Sequence, residues 1–400
     1  MPLQDHPLWR GPRHHMDAED AHDHVHWIEL FYDLIHVVTI FMLGNYLSHH
    51  LSIDGFLVFA ALFTAMWFAW FDSSLFNSLY VSTDITHRVI MTAQICTVMI
   101  FAAAIPEVAG DGWTFLALAF AANRAITAFM YWRAIRMGAE TTTLASEMAR
   151  NFFALSVVFA LSAFLPQPFG YIVFGAGIVA IQALYLSPGI GVLRFERFVP
   201  RHGHMAERFA LLLLIVVGEG FFKLVVTLAE KGVTKVTPDV LVNFILGGAA
   251  IFVMAWIYFD FAGNAKPKSR EIRVRAQWWL SHLVLMLAAV MVGVALAAEV
   301  KVGFFEPYPT KYAWLGCIGL AAYLLSLLAI QNVIEERTAH RFATAQVRMI
   351  GVALALVTLV IVPHVPSIIG NLSWAAALFS QIIIPVRRAY RAFSEEEKAT

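Results

Sequence analysis

Runs of about 20 consecutive apolar residues, the length a helix needs to cross a bilayer, recur along the whole of this chain. A segment of that kind has few ways to fold. In hydrocarbon every backbone N–H and C=O must be satisfied within the structure, which leaves helices or a closed barrel. The runs are far too long for barrel strands, so they are read as membrane helices. Composition agrees: 60% of the residues are hydrophobic and only 14% charged, against about 45–50% and about 25% in soluble domains. Mean hydropathy is +0.69.

Breaking the chain at charges, Gly and Pro predicts twelve spans. The first six lie near 28–49, 55–80, 87–106, 113–136, 145–165 and 169–190. The rest lie near 205–229, 239–262, 276–299, 312–334, 343–363 and 366–386. The expected fold is therefore an all-α polytopic membrane bundle. The domain expectation is a polar His-rich tail over 1–27, a six-helix repeat over 28–193, a linker over 194–204, a second six-helix repeat over 205–388, and a tail over 389–400.

The duplication is read from polar punctuation. His24, His26 and Glu29 open the first span, and His202, His204 and Glu207 open the seventh at the same internal spacing. Phe71-Asp72 closes the second span as Phe259-Asp260 closes the eighth. Glu107 and Glu299 end the third and ninth, and Arg150 and Arg348 precede the fifth and eleventh. Arg133, Arg136, Arg194, Arg197, Arg201, the cluster KPKSREIRVR (266–275), Arg337, Arg341, Arg387, Arg388 and Arg391 fall on one set of loops. The other set holds only Lys231, Lys235, Lys301 and Lys311. Because basic residues stay cytoplasmic, both termini are expected in the cytoplasm, with the protein multipass in the inner (plasma) membrane. Six spans per half make the repeats parallel, a pseudo-symmetry about the membrane normal. The polar N-terminus lacks a signal-peptide core, so the first span is expected to act as the uncleaved insertion signal.

The chain resembles the bacterial low temperature requirement protein A family. The resemblance rests on Glu29-Leu30-Phe31-Tyr32-Asp33-Leu34, on His204-Met205-Ala206-Glu207-Arg208-Phe209 followed by Ile215 and Gly218-Glu219, and on Asp84-Ile85-Thr86-His87-Arg88. It covers roughly 25–390 and implies a bacterial multipass membrane protein linked to growth in the cold. It implies no reaction or substrate. His36, Ala210, Gly220 and Lys223 depart from the family pattern, so roles for His36 or Lys223 would belong to this chain alone.

Ionisable residues inside a membrane are costly and are functional candidates by default. Glu29, Asp33 and His36 share one face of the first span, with His36 about 10 Å deeper than Glu29. They read either as a polar track for a proton or cation, or as acids placed at a helix N-terminus by the macrodipole. On the seventh span Arg208 and Glu219 share a face about 16 Å apart, and Lys223 stands one turn past Glu219, within reach of an i, i+4 pair. Glu207 completes the candidate proton or solute set. Among secondary polar residues, Arg124 must find a carboxylate such as Asp33 or Asp72, and Asp260 ends its span among aromatics. His26, Glu29, His204 and Glu207 form a possible nitrogen and oxygen ligand set for zinc, iron or manganese, with His14, His15 and His22 as further donors. The tryptophans (Trp67, Trp70, Trp256, Trp278, Trp279) read as interfacial belts and packing.

Three functions remain open at this point. The leading one is a transporter or permease-like protein handling a proton, small cation or polar solute. The second is a membrane scaffold or sensor of cold or envelope stress, and the third a membrane-embedded metal or redox enzyme. The lipid bilayer is the expected partner. Zero formal net charge argues against nucleic acid, and the isolated Cys96 and Cys317 argue against a disulfide framework. The oligomeric state is open.

Overall fold

The computed structural model describes residues 8–18, 25–136, 142–186, 191, 198–335 and 342–399. Twelve of its helices are long and apolar enough to span a membrane. They are α1 (Trp27–His49), α2 (Ile53–Leu79), α3 (Ile85–Ala104), α4 (Gly112–Arg136), α5 (Thr142–Ser162) and α6 (Phe169–Leu186). α7 (His202–Lys231), α8 (Pro238–Phe261), α9 (Ile272–Glu299), α10 (Thr310–Gln331), α11 (Ala345–Ile361) and α12 (Ser367–Ala399) complete the set. Each expected span overlaps one helix, and α12 continues to Ala399 through the segment expected as a tail. The correspondence follows from the solvent: a long apolar segment has no satisfied backbone conformation in lipid except this one.

Local chemistry sets the helix ends. Ser52 caps α2 by accepting from the Gly55 amide at 3.1 Å. Asp84 caps α3 by accepting from Thr86 N at 3.1 Å, and its carboxylate also receives Arg133 Nη2 at 2.5 Å. Pro238 occupies the first turn of α8, where the missing N–H costs nothing. Surfaces carry large apolar side chains such as Phe115, Phe153, Phe252 and Val360, while Arg124, Arg208 and Arg348 are fully buried. Apolar groups outside and polar groups inside suit contact with lipid.

The chain divides into two compact units. The first holds Met1–Tyr46 and Ser52–Arg208, the second Leu47–Leu51 and Phe209–Thr400. Within the first, α4 packs on α3 and α5, and α2 on α4 and α6. Within the second, α10 packs on α9 and α11, and α12 on α11 and α8. The division falls inside α7, so the segment expected as a linker (194–204) and the first turns of α7 belong to the first unit. Part of the N-terminal tail is also structured: β1 (Arg13–His14) pairs antiparallel with β2 (Tyr80–Val81). Leu8 O accepts from Ile85 N at 3.1 Å, and the His15 ring meets Val199 O at 2.6 Å. Composition alone hides this, because a two-residue strand has no period to read.

In the second unit, a Cβ on Gly316 would stand 1.9 Å from Trp374 Cη2 and 2.8 Å from Ala295 Cβ. Trp374 is held by its Nε1–H on Cys317 Sγ at 3.2 Å, so it cannot simply move aside. Gly316→Ala is expected to lower stability by about 1–3 kcal/mol, the usual penalty for overpacking. Gly218→Ala, where an added Cβ meets nothing within 4 Å, should leave the thermal unfolding midpoint nearly unchanged.

Candidate functional site

Three helical faces of the first unit build the site. Glu29, Asp33 and His36 descend one face of α1. His204 and Arg208 stand one turn apart at the start of α7, and Trp70, Ser74 and Asn77 follow one another on α2. The His204 ring Nε2 lies 3.2 Å from Glu29 Oε1 and 3.1 Å from Oε2. Arg208 Nε is 3.8 Å from the same carboxylate, and its Nη1 donates to Asp33 Oδ2 at 2.7 Å. Trp70 Nε1 donates to the other Asp33 oxygen at 2.7 Å. Ser74 Oγ accepts from Arg208 Nε at 3.1 Å and Nη2 at 2.9 Å. The guanidinium stands 5.4 Å from the Trp70 ring centroid, a cation–π geometry.

This row alternates in sign. Two carboxylates face one guanidinium, and all four of Glu29, Asp33, His204 and Arg208 are buried. A buried net charge is expensive, and His204, in contact with Glu29, is the second basic side chain of the row.

Above this row lies a cavity of about 120 Å³, walled by His26, Glu29, Asn77, Thr83, His87 and Arg201 among others. It has room for several waters or a small polar solute. Arg201 fixes one wall by donating to Asn77 O at 2.6 Å and to Ser78 O at 3.3 Å. The side-chain amide nitrogen of Asn77 is buried and makes no hydrogen bond, whereas Glu29 Oε2 is already faced by His204. His26 lies just before α1. Burial holds its imidazole below the ordinary value, Glu29 opposes that, and Arg88 adds to it.

Deeper polar residues are closed off. Arg124 pairs with Asp72, whose other oxygen accepts from Tyr185. Asn123 Oδ1 accepts from Arg124 at 2.7 Å. Of the two carboxylates expected for Arg124, the structure selects Asp72. His36 is fully buried, with Nδ1 2.9 Å from Tyr32 O. It does not line the cavity, and neither does half-buried Glu207. Glu29 alone of the expected carboxylates does.

In the second unit Glu219 is 1% exposed, and neither carboxylate oxygen makes a hydrogen bond. Lys223 Nζ stands 4.0 Å away. Next to this pair α7 and α9 nearly touch, since a Cβ on Gly293 would lie 3.2 Å from Gly220 Cα. Asp260 is exposed and accepts from Trp256 Nε1 of its own helix at 2.7 Å, unlike buried Asp72. Glu107 is exposed while Glu299 is buried. The matched polar positions thus sit in unlike surroundings.

Of the metal-ligand set, Glu29 and His204 meet. His24 and His22 lie outside the described residues. His14 is packed on Tyr80, with ring centroids 5.6 Å apart. Among the described residues no three His, Cys, Asp or Glu side chains gather as a metal would require.

Sequence reasoning passed over Ser74, Asn77 and Tyr185, read Trp70 as belt or packing, and counted Arg201 only as a loop charge. The polar run Asp72-Ser73-Ser74…Asn77-Ser78 at the end of an apolar span was the available signal. Its i, i+3, i+4 spacing marks a wetted helix face.

Residues 24–383 match the family described as bacterial low temperature requirement A protein. An uncharacterized protein of Rhizobium meliloti (strain 1021) is 25% identical over 286 residues, which span 66% of this chain and 68% of that protein.

Removing one partner of a buried ion pair costs about 3–5 kcal/mol. Asp33→Ala is therefore expected to lower stability by that amount. The isosteric Glu29→Gln, at the cavity wall, should cost no more than about 1–2 kcal/mol, the range for one altered hydrogen bond. Denaturation monitored by circular dichroism in detergent checks the contrast, and equal losses would contradict it.

Proposed function

This chain belongs to the bacterial low temperature requirement A family, and we propose that it is a permease-like membrane protein that exchanges a proton, small cation or small polar solute at the Glu29 cavity. The observation that carries the reading is that Glu29 both lines a polar cavity and belongs to a buried row of two carboxylates, one imidazole and one guanidinium. A ligand reaching Glu29 changes the charge that His204 and Arg208 must balance. Binding at the cavity is therefore coupled to protonation by electroneutrality. Glu219, buried without a hydrogen bond, serves in this reading as a second proton-carrying carboxylate, with the Lys223 ammonium 4.0 Å away.

Asp33 with Arg208 and Asp72 with Arg124 act as fixed pairs that hold helices in register. That assignment also favours a second reading, a scaffold or sensor in the cold response, because pairs closed in this way have no vacant valence to offer a solute. The alternation of arginine-rich and arginine-poor loops supports an inner-membrane location with both termini in the cytoplasm. The recurring His-x-His-x-x-Glu triplet supports descent from a duplicated six-span unit.

Purified protein in vesicles carrying an internal pH-sensitive dye decides between the two readings. Under an imposed pH gradient the wild type is expected to dissipate it faster than protein-free vesicles. Glu29→Gln and Glu219→Gln should each slow the flux about tenfold, the effect of about 1.4 kcal/mol on a rate. Wild-type flux in Glu29→Gln would remove the cavity from the pathway, and no flux above protein-free vesicles would leave the scaffold reading. Single cysteines placed at each terminus should react with an impermeant thiol reagent only after the cytoplasmic face is exposed.

A further inference from the structure

Among the described residues three arginines are fully buried, and two of them, Arg124 and Arg208, each hold an aspartate. The third, Arg348 on α11, does not. Its Nε donates to Gln331 Oε1 at 3.0 Å and its Nη1 to Gln381 Oε1 at 2.9 Å. Its guanidinium carbon lies 4.6 Å from the Phe261 ring centroid. Among the described residues no carboxylate comes within ion-pair distance. Neutral amide oxygens and an aromatic face soften the charge without cancelling it, and a guanidinium stays protonated in any protein environment.

Two donors in this cluster are left over. Arg348 Nη2 and Gln331 Nε2 are both buried and make no hydrogen bond. Gln331 cannot turn its amide round, because its oxygen is committed to Arg348. Both surplus groups are donors, so what completes them is an acceptor carrying negative charge.

The location supplies more of the same polarity. Arg348 is the fourth residue of α11, and helical side chains lean toward the N-terminus of their own helix. That end carries the positive pole of the helix dipole and unpaired first-turn amides. Thr344, at the cap position, makes no capping bond with its side chain. Its hydroxyl instead accepts from Arg388 Nη1 on α12 at 2.9 Å. Ala345 and Gln346 at the start of α11 are exposed, as are Arg387 and Arg391 on the same stretch of α12. A helix N-terminus, a buried unneutralised arginine with a spare donor, and a bordering basic stretch lie together at this end of α11.

We infer that the N-terminal end of α11, with Arg348, Gln331 and Arg388, is a binding site for a phosphate-type anion, either the headgroup of an anionic phospholipid or free phosphate. Helix N-termini and arginine forks are the common means of holding phosphate oxygens. Basic pockets between membrane helices do so for lipid headgroups. The anion neutralises Arg348 and so stabilises the packing of α10, α11 and α12. The site shares no residue with the Glu29 cavity and stands or falls without it.

The test uses the full chain in three preparations: vesicles of phosphatidylcholine alone, of phosphatidylcholine with phosphatidylglycerol, and of phosphatidylcholine with inorganic phosphate added. Thermal unfolding and lipid retained through purification are measured. Wild type should unfold at a higher temperature with phosphatidylglycerol or with phosphate. A rise with phosphatidylglycerol alone assigns the site to the headgroup, and an equal rise with inorganic phosphate assigns it to the free anion. Arg348→Gln should retain the anion about tenfold less tightly, as the loss of one charge-assisted hydrogen bond implies. Should that variant fail to fold, Gln331→Glu decides, because it sets a carboxylate beside Arg348. It should unfold at the raised temperature in phosphatidylcholine alone and gain nothing further from either anion. A wild type indifferent to both anions, or a Gln331→Glu protein that responds as strongly as wild type, overturns the inference.

Discussion

Arg208 is the group on which the first unit depends. A guanidinium in hydrocarbon must be met on every donor, and this one is met from two other helices: Asp33 of α1, and Ser74 and the Trp70 ring of α2. Each contact fixes the rotation of one helix about its axis. The same rotation of α1 that brings Asp33 to Arg208 turns Glu29 toward His204 and the cavity. One charge therefore sets the geometry of a site it does not itself line.

The two units handle their buried charge differently. In the first, Asp33 and Asp72 are each locked by an arginine and a second donor, Trp70 or Tyr185. Such pairs have both carboxylate oxygens occupied. In the second unit Glu219 faces a lysine at 4.0 Å and no hydrogen-bond donor. A lysine can give up its proton when buried, whereas an arginine cannot. The basic partner thus differs between two carboxylates closed by hydrogen bonds and one that makes none.

The membrane class and the number of spans were legible in the sequence because hydropathy along one segment decides them, whereas the end of α12, which runs to Ala399, was not. Arg124 could be narrowed to two acids, but choosing Asp72 required knowing how α2 and α4 are turned toward each other. Trp70 was taken for packing because an indole gives the same sequence signal whether its N–H faces lipid headgroups or a buried aspartate. Harder still was the cavity, whose walls come from the residues before and at the start of α1, the end of α2, the start of α3 and the segment before α7. No periodicity within one segment reports such a meeting. Arg348 stood out only once the helices around it were known to carry glutamines in place of an acid.

The short pairing of β1 with β2 sets an order of assembly. Residues 13–15 leave the ribosome early, yet His14 needs Tyr80 at the far end of α2, and His15 needs Val199, which follows the sixth helix. The strand pair can therefore close once two helices are made, whereas the bond from His15 must wait for the residues that follow the sixth.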